Sequence, residues 1–406
     1  MRLPRVLLVL YAAAFLRSLA TGFLGVVLGV YLARLHLDAI RIGIVLAAGL
    51  AGGTAATAAV GRWADRIGRR HALTVLAILS AAGGLGLALV PPFPALVAIA
   101  FASMLNGMGT DRSATFALEQ AIVPALVPDR ERTWALSWNN VVLDAGGALG
   151  ALAGAVPSVL RCFLGLDLTE AYRIIFLSLG VLQLSTAFIY ARLPAEIELS
   201  SSAPERSLSV SPHTRMLVRR LAVLFSVDAF GGGFLGDALV AYWFFRRFGI
   251  DERGLGVLFF VVHMLNAASH LGAAWLARRI GLVNTMVFTH LPSSLFLIAV
   301  PLAPNAAAAV VLFLCREAVV EMDVPTRQSY VAAIVSPYER TYASSVTNLT
   351  RTVSWAGASA LAGAFMQHVA FSAPLVFGGS LKIVYDILLY RRFRSLKPTE
   401  ERTSDA

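Results

Sequence analysis

Ionisable side chains interrupt the long apolar segments of this chain, and they are the residues best suited to bind a solute or carry a proton. The residues concerned are Arg17, Asp111, Arg112, Glu119, Asp144, Asp228, Asp237, Arg316, Glu317, Glu321, Asp323, Arg327, Arg351, Lys382 and Asp386. A charge at membrane depth is costly, so it usually faces a cavity or an opposite charge. Carboxylates there can exchange protons, and arginines suit carboxylate or phosphate ligands.

Plainer interpretations compete with these roles. Asp323 and Arg327 are spaced i,i+4, so they can pair along one helix face. Lys382 and Asp386 have the same spacing on a peripheral segment, and we expect them to form a structural pair. Sequence neighbours lie about 100° apart on a helix, so Asp111 and Arg112 each need another partner.

Asp228 and Asp237 share one apolar segment and leave two interpretations open. Either carboxylate can be a proton acceptor, or it can be the ion-pair partner of an arginine. His263 and His270 are spaced i,i+7 on one face of the next segment without an adjacent acid, which favours core packing or proton relay over a metal site. We expect no metal and no cofactor.

The composition is that of an integral membrane protein. Of 406 residues, 57% are hydrophobic and 14% charged, whereas soluble domains are nearer half apolar and a quarter charged. A helix crosses a bilayer with about 20 apolar residues. The chain accordingly has room for twelve spans, predicted at 7–33, 40–60, 71–91, 95–123, 133–159, 171–192, 217–246, 252–277, 283–302, 305–334, 340–367 and 371–391.

Arginines in the loops set the expected orientation. Most of them, including four within residues 62–70 and three within 391–394, fall on one side of the predicted spans. Because positive loops stay in the cytoplasm, we expect both termini there, in the inner or plasma membrane. The same clustering explains the net charge of +10 without nucleic acid as a partner.

Two similar halves flank a polar linker. We predict a six-helix bundle over 1–192, a cytoplasmic linker over 193–216, a second bundle over 217–392 and a cytoplasmic tail over 393–406. Glu-Arg-Thr-Trp-Ala at 131–135 recurs as Glu-Arg-Thr-Tyr-Ala at 339–343, and the same offset aligns Glu119-Gln120 with Arg327-Gln328. The echoes indicate two repeats related by an axis along the membrane normal.

Residues 61–70 read Gly-Arg-Trp-Ala-Asp-Arg-Ile-Gly-Arg-Arg and lie between two apolar segments. They resemble the loop between helices two and three of the major facilitator superfamily, roughly G-x-L-A-D-R-x-G-R-[RK], with Trp63 in place of Leu. The matching residues are Gly61, Ala64, Asp65, Arg66, Gly68, Arg69 and Arg70. The second half repeats part of the motif at 277–281, with Arg278 where Asp65 stands.

The resemblance implies an all-α fold of twelve transmembrane helices in two pseudo-symmetric six-helix bundles, which alternates between inward-open and outward-open states. It places helices one, four, seven and ten around a central cavity, and most of the buried charges lie on these helices. The efflux branch often carries an arginine three residues before a Gln-Gly pair of helix four. Here Ser103 precedes Asn106-Gly107, and the antiporter motif of helix five is only partly kept.

Two conformational contacts follow from this architecture. Asp65 is expected to dock on the N-terminus of helix eleven, near Arg340 and Thr341, where free N–H groups favour an anion. Glu119 and Arg327 occupy equivalent positions of the two repeats and are expected to pair as an inner gate. The i,i+4 pairing of Arg327 with Asp323 is the competing interpretation.

We therefore predict a secondary active transporter rather than an enzyme, since no catalytic constellation stands out and no Gly-x4-Gly-Lys-Ser/Thr loop is present. The expected role is proton-coupled efflux of a small organic or drug-like solute by a monomer in the lipid bilayer. An organic-anion uniporter or symporter is the alternative within transport. A non-transporting membrane sensor is the alternative from another class.

Overall fold

The computed structural model describes residues 5–89, 92–110, 113–127, 132–194, 197–198, 210–335 and 339–394. The regular structure of these residues is helical. The α-helices are α1 (Arg5–Arg34), α2 (Ala39–Ile67), α3 (Arg69–Ala88), α4 (Phe93–Ser103), α5 (Ala114–Ile122), α6 (Arg132–Ala153), α7 (Val156–Leu164), α8 (Leu168–Ala191), α9 (Pro212–Gly233), α10 (Asp237–Phe248), α11 (Glu252–Ile280), α12 (Leu282–Ala299), α13 (Ala306–Val320), α14 (Asp323–Ile334), α15 (Arg340–His368) and α16 (Ala373–Phe393).

Within the described ranges, nine helical stretches are long and apolar enough to cross a membrane. They correspond to predicted spans one, two, three, five, six, seven, eight, nine and twelve. Predicted spans four and ten are each divided into two shorter helices, α4 with α5 and α13 with α14. Predicted span eleven is α15, a helix of 29 residues rich in Ser and Thr.

Local sequence explains the break after α4. Met104 ends that helix in the left-handed conformation, with a φ of 55°, and Gly109 has a φ of 78°. The Asn106 side chain stabilises the turn, because it accepts from the Met108 N–H and donates to the Thr110 carbonyl, both at 2.8 Å. Ser113 then caps α5 by accepting from the Phe116 N–H at 3.3 Å.

The chain forms two compact units. Unit 1 comprises Met1–Pro204 and Gly236–His263, and unit 2 comprises Glu205–Leu235 and Met264–Ala406. Unit 1 therefore includes α10 and the first part of α11 along with α1–α8. The predicted domain boundaries at 192, 217 and 392 follow the sequence repeat, and they stay a prediction.

Each unit has its own apolar core. In unit 1 the core includes Leu7, Leu73 and Tyr190, and in unit 2 it includes Leu221, Tyr330 and Tyr385. Small residues allow α1 and α6 to pack closely in unit 1: a Cβ on Gly150 would overlap the Leu19 carbonyl oxygen.

Candidate functional site

A buried carboxylate, Asp228 of α9, lies at the centre of a charge network in unit 2. It is 2% exposed. Its Oδ1 accepts a hydrogen bond from Lys382 Nζ of α16 at 2.9 Å, and its Oδ2 accepts one from Arg351 of α15 at 2.8 Å. A third cation, Arg327 of α14, lies 3.5 Å from Oδ2. Three helices therefore present cations to a single carboxylate of a fourth.

His290 of α12 joins Lys382 to a second carboxylate. Its Nδ1 lies 3.0 and 3.1 Å from the two oxygens of Asp386, and its Nε2 lies 3.3 Å from Lys382 Nζ. An ammonium group only donates, so Nε2 is the acceptor of this contact and Nδ1–H donates to Asp386. The contacts thus select one neutral tautomer of His290. Nε2 is also 3.7 Å from Oδ1 of Asp228.

The network is close to electrically balanced. Arg327 forms an ion pair with Asp323, one turn earlier on α14, at 2.5 Å. Three cations (Lys382, Arg351 and Arg327) thus face three carboxylates (Asp228, Asp323 and Asp386), and all six are at most 7% exposed. Balanced charge is what allows so many ionic groups to remain buried, and it makes the cluster sensitive to the arrival of one proton.

Two glycines bring α9 and α16 close enough to build this network. A Cβ on Gly231 would lie 2.9 Å from the Gly378 carbonyl oxygen, and a Cβ on Gly378 would lie 2.8 Å from the Gly231 carbonyl oxygen. Both distances are too short for a real side chain. Close backbones place Lys382, one turn after Gly378, within reach of Asp228.

A smaller network in unit 1 has the opposite arrangement of charges. Arg17 of α1 forms a two-pronged ion pair with Glu119 of α5, at 2.8 and 2.7 Å. Tyr190 of α8 lies 2.6 Å from both partners. Helices α1 and α5 thus carry cation and acid, whereas the equivalent helices of the second repeat carry Asp228 and Arg327 in the reverse order.

These contacts bear on the two interpretations of Arg327. Its pairing with Asp323 along α14 is confirmed. In this structure Glu119 is fully buried and satisfied by Arg17 and Tyr190. The inner gate between Glu119 and Arg327 stays a prediction, and forming it would require both residues to give up buried partners.

The expected structural pair of Lys382 and Asp386 is wrong. Lys382 contacts Asp228 and His290, and Asp386 contacts His290, so the imidazole lies between the two residues. Both side chains are buried, since Lys382 is 7% exposed and Asp386 0%, so this part of α16 faces the interior of unit 2. An i,i+4 spacing allows a pair but does not exclude better partners on neighbouring helices.

Asp237, the other proposed proton acceptor, lies in unit 1 at the start of α10. Its carboxylate is packed against the backbone of Gly109 and lies 3.7 Å from His263 Nε2. Helix seven of the prediction is divided between α9 and α10, so Asp228 and Asp237 belong to different units.

A third ionic cluster in unit 1 ties α11 to α1 and α8. Glu252, 1% exposed, accepts hydrogen bonds from Arg34 Nε at 2.7 Å and from the Tyr172 hydroxyl at 2.6 Å. The Arg34 guanidinium also lies over the Phe245 ring of α10, 5.0 Å from its centroid. Residues from both sequence repeats therefore meet within unit 1.

The N-terminus of α3, which follows the turn at Gly68, is capped by a residue that the sequence analysis did not single out. Glu198 accepts from the N–H groups of Arg69 at 2.6 Å and Arg70 at 3.1 Å, at the N-terminus of α3. Gly68 turns the chain there with a φ of 95°. The side chains of Asp65 and Arg66 lie outside the described residues, as do those of Arg278, Arg340 and Thr341. The docking of Asp65 therefore stays a prediction.

A similar glutamate contact holds the start of α9. Glu339 accepts from the Thr214 hydroxyl at 2.6 Å and from the Ser211 N–H at 2.7 Å. These hydrogen bonds stabilise the ionised form, and they lower the pKa of the Glu339 carboxyl below its ordinary value.

The remaining predicted residues have separate positions. Asp111 and Arg112 lie outside the described residues. Glu317 of α13 forms an ion pair with the neighbouring Arg316, and its Oε2 lies 3.3 Å from the Asn266 amide. Asp144 and Glu321 are half-buried on α6 and just after α13. The charged residues thus form several clusters, of which the Asp228 network is the largest described.

No group of three or more His, Cys, Asp or Glu side chains in the described ranges is arranged to hold a metal ion. The charge network is instead built from alternating cations and carboxylates with one imidazole. This composition suits the movement of a proton between neighbouring groups.

Comparison with known proteins agrees with this architecture. Residues 10–359 match the model of the Major Facilitator Superfamily. The chain belongs to this superfamily. It is a multi-pass membrane transport protein with twelve transmembrane helices in two pseudo-symmetric six-helix bundles. The resemblance seen in residues 61–70 is thereby confirmed.

Among proteins of known sequence, the chain is 26% identical over 412 residues to YJR124C, an uncharacterized membrane protein of Saccharomyces cerevisiae. The match covers 94% of this chain and 92% of the yeast protein. The description of that relative indicates a membrane location and does not name a solute.

Solved structures of superfamily members share the fold. A POT family transporter has a TM-score of 0.74 at 15% identity, with 96% of each chain covered. A D-xylose-proton symporter has a TM-score of 0.72 at 15% identity, covering 95% of this chain and 96% of the symporter. The nucleoside transporter NupG has a TM-score of 0.71 at 14% identity, covering 96% and 99%. Identities this low establish the fold only.

Proposed function

We propose that this superfamily member is a proton-coupled secondary transporter, and that its coupling element is the buried network of Asp228, Lys382, His290 and Asp386. The observation that carries the proposal is the position of His290, whose two ring nitrogens contact Asp386 and Lys382. An imidazole can exchange a proton near neutral pH, and no other residue of the network bridges a cation and a carboxylate in this way.

The geometry gives the proton a mechanical effect. Uptake of a proton at Nε2 of His290 replaces an acceptor with an N–H donor that faces Lys382 Nζ at 3.3 Å. Two cationic donors cannot share this contact, so Lys382 must move relative to His290. Because Lys382 also holds Asp228, protonation alters the contacts of α16 with both α9 and α12. Such a change can bias the equilibrium between two conformations.

The solute we propose is a small organic molecule, and export is the direction expected from the sequence. The organic-anion alternative is less well supported, since it needs arginines available to an anion. Arg17 already holds Glu119, and Arg351 already holds Asp228. A solute anion would have to displace a buried carboxylate from either guanidinium.

The proposed location is the inner or plasma membrane, with cytoplasmic termini and a monomeric protein. Orientation rests on the arginine distribution of the loops. Labelling of a single cysteine placed near the C-terminus tests it, since labelling from outside intact cells would contradict the proposed topology.

The function is tested with purified protein in liposomes. A screen for ligands that raise the thermal stability selects the solute, because binding to the native state stabilises it. In vesicles with an imposed pH gradient, the wild-type protein is expected to accumulate the solute and to exchange it in the absence of the gradient. A protein that binds the solute but neither accumulates nor exchanges it would be a sensor, contrary to the proposal.

Two matched carboxamide variants locate the coupling. Asp386→Asn is expected to lose gradient-driven accumulation and keep solute exchange, because only the charge of the His290 partner is removed. Asp237→Asn, in the other compact unit, is expected to keep both activities. The reverse pattern would assign coupling to Asp237.

A further inference from the structure

A groove on the surface of unit 2 combines arginines with apolar side chains. It has a volume of about 450 Å³ and lies between the start of α9 and the end of α16. Its wall includes Met216, Arg219, Arg220, Val223, Leu388 and Arg392. The groove is separate from the charge network, of which Asp228, Lys382 and Asp386 lie deeper along the same two helices.

The groove is open to its surroundings along its apolar part. Val223 is 60% exposed, Met216 48% and Leu388 37%. In a membrane-spanning bundle, exposed apolar side chains of this kind face lipid tails. An acyl chain can therefore lie along Val223 and Leu388 without displacing any protein contact.

The arginines lie beside this apolar part, with Arg219 one turn before Val223 on α9 and Arg392 one turn after Leu388 on α16. Arg219 is seven residues after Pro212, the first residue of α9, which places it about 10 Å from the helix start at the usual helical rise. Arg392 is in the last turn of α16. Among the described residues, none forms an ion pair with Arg219, Arg220 or Arg392, and all three are exposed. Their height along the helices fits the headgroup level of a bilayer.

We propose that this groove binds an anionic glycerophospholipid, with its phosphate held by Arg219, Arg220 and Arg392 and one acyl chain along Val223 and Leu388. Charge selects the occupant, because three guanidiniums favour a phosphate diester with net negative charge over a zwitterionic headgroup. The apolar wall selects a lipid over a free anion. The loop arginines place this end of the bundle on the predicted cytoplasmic side, where anionic lipids attract basic residues.

The proposed lipid contacts the two helices that also carry the charge network. Asp228 is nine residues after Arg219 on α9, and Asp386 is six residues before Arg392 on α16. A lipid bound here would hold the cytoplasmic ends of α9 and α16 together, whereas the Gly231–Gly378 contact joins the same helices about 20 Å further along. We therefore expect the lipid to stabilise unit 2 against unfolding.

The test measures binding of phosphatidylglycerol and of phosphatidylcholine to the purified full-length protein by native mass spectrometry. The wild type is expected to retain phosphatidylglycerol in preference to phosphatidylcholine. The double variant Arg219→Gln/Arg392→Gln is expected to bind phosphatidylglycerol roughly 25-fold more weakly, since each arginine near an anionic lipid contributes about a fivefold effect.

A matched control removes one arginine from each of the same helix ends. Arg215→Gln/Arg391→Gln changes two exposed arginines that do not line the groove, and it is expected to bind phosphatidylglycerol as the wild type does. A second variant, Leu388→Trp, keeps every arginine and fills the apolar part of the groove, so it is expected to weaken lipid binding. Inorganic phosphate is expected not to compete with phosphatidylglycerol for this variant or for the wild type.

Three results would overturn the proposal. The first is equal binding of the two lipids by the wild type. The second is an equal loss in the groove and control variants. The third is full competition by millimolar inorganic phosphate, which would make the groove a site for free anions.

Discussion

Removing the charge of Asp228 or of Lys382 tests whether the buried network is held together by charge balance. Asp228→Asn withdraws the carboxylate shared by Lys382 and Arg351, at 2.9 and 2.8 Å. Lys382→Met withdraws one of the cations around it. Loss of one partner from a buried ion pair typically costs about 3–5 kcal/mol, because a charge is left uncompensated. We expect each single variant to fall in this range.

The double variant Asp228→Asn/Lys382→Met restores the balance of charge. We expect it to be less destabilised than the sum of the single variants by about 2 kcal/mol, within the usual range of about 0.5–3 kcal/mol for residues in contact. The measurement is the free energy of unfolding in mixed detergent micelles. Lys382→Met combined with Glu339→Gln is the control, and these changes should be additive because Glu339 contacts Ser211 and Thr214 instead.

Additivity of Asp228→Asn and Lys382→Met to within about 0.5 kcal/mol would refute this reasoning. It would mean that the 2.9 Å contact carries no net interaction free energy. Binding of the lysine to the carboxylate could then not transmit the protonation of His290.

Three further predictions concern the contacts at helix ends. Glu252→Gln should lose about 3 kcal/mol of unfolding free energy, since Arg34 keeps its charge beside a buried amide, and Arg34→Gln/Glu252→Gln should recover part of this loss. Glu339→Gln should abolish a pH dependence of amide hydrogen exchange near Thr214. The pKa of Glu339 is depressed in the folded protein, so its protection of these amides is fully present above the ordinary glutamate pKa and is lost as the pH falls through the depressed pKa. Glu198→Gln should speed exchange of the first amides of α3 by removing a charged cap, and unchanged exchange rates would show that the cap contributes nothing.

The positions of most membrane spans could be predicted from the sequence, because they depend on the order of apolar and polar residues along the chain. Long apolar runs indicate spans whatever their partners, so the positions of α1, α3, α8 and α12 were recovered to within a few residues. The division of span four was not predicted. The break depends on the Asn106 side chain, which forms hydrogen bonds with the backbone of Met108 and Thr110. These local hydrogen bonds stabilise a turn where the helix would otherwise continue.

The candidate site was less accessible, since contacts between helices depend on how each helix is rotated about its axis. Asp228 and Arg351 were identified as buried charges, but nothing in the sequence links them to His290. Lys382 and Asp386 were interpreted through their spacing alone. A useful signal was present in Gly231 and Gly378, because small residues on two helices indicate a close crossing near the charges.

Glu198 and Glu252 illustrate a second limit. Each lies in a polar or helix-terminal stretch beside another acid (Glu196 or Asp251), where exposed acids are common. Their roles become visible only when Arg69 or Arg34 is placed beside them.

The measurement that tests the central claim most directly is the proton flux that accompanies solute movement in proteoliposomes, recorded with a pH-sensitive dye trapped inside. His290→Gln removes the group that joins Asp386 to Lys382, and His270→Gln is the matched histidine change outside the network. Coupling through the network predicts that His290→Gln moves solute without protons, whereas His270→Gln and the wild type move both. An undiminished proton flux per solute in His290→Gln would contradict the account.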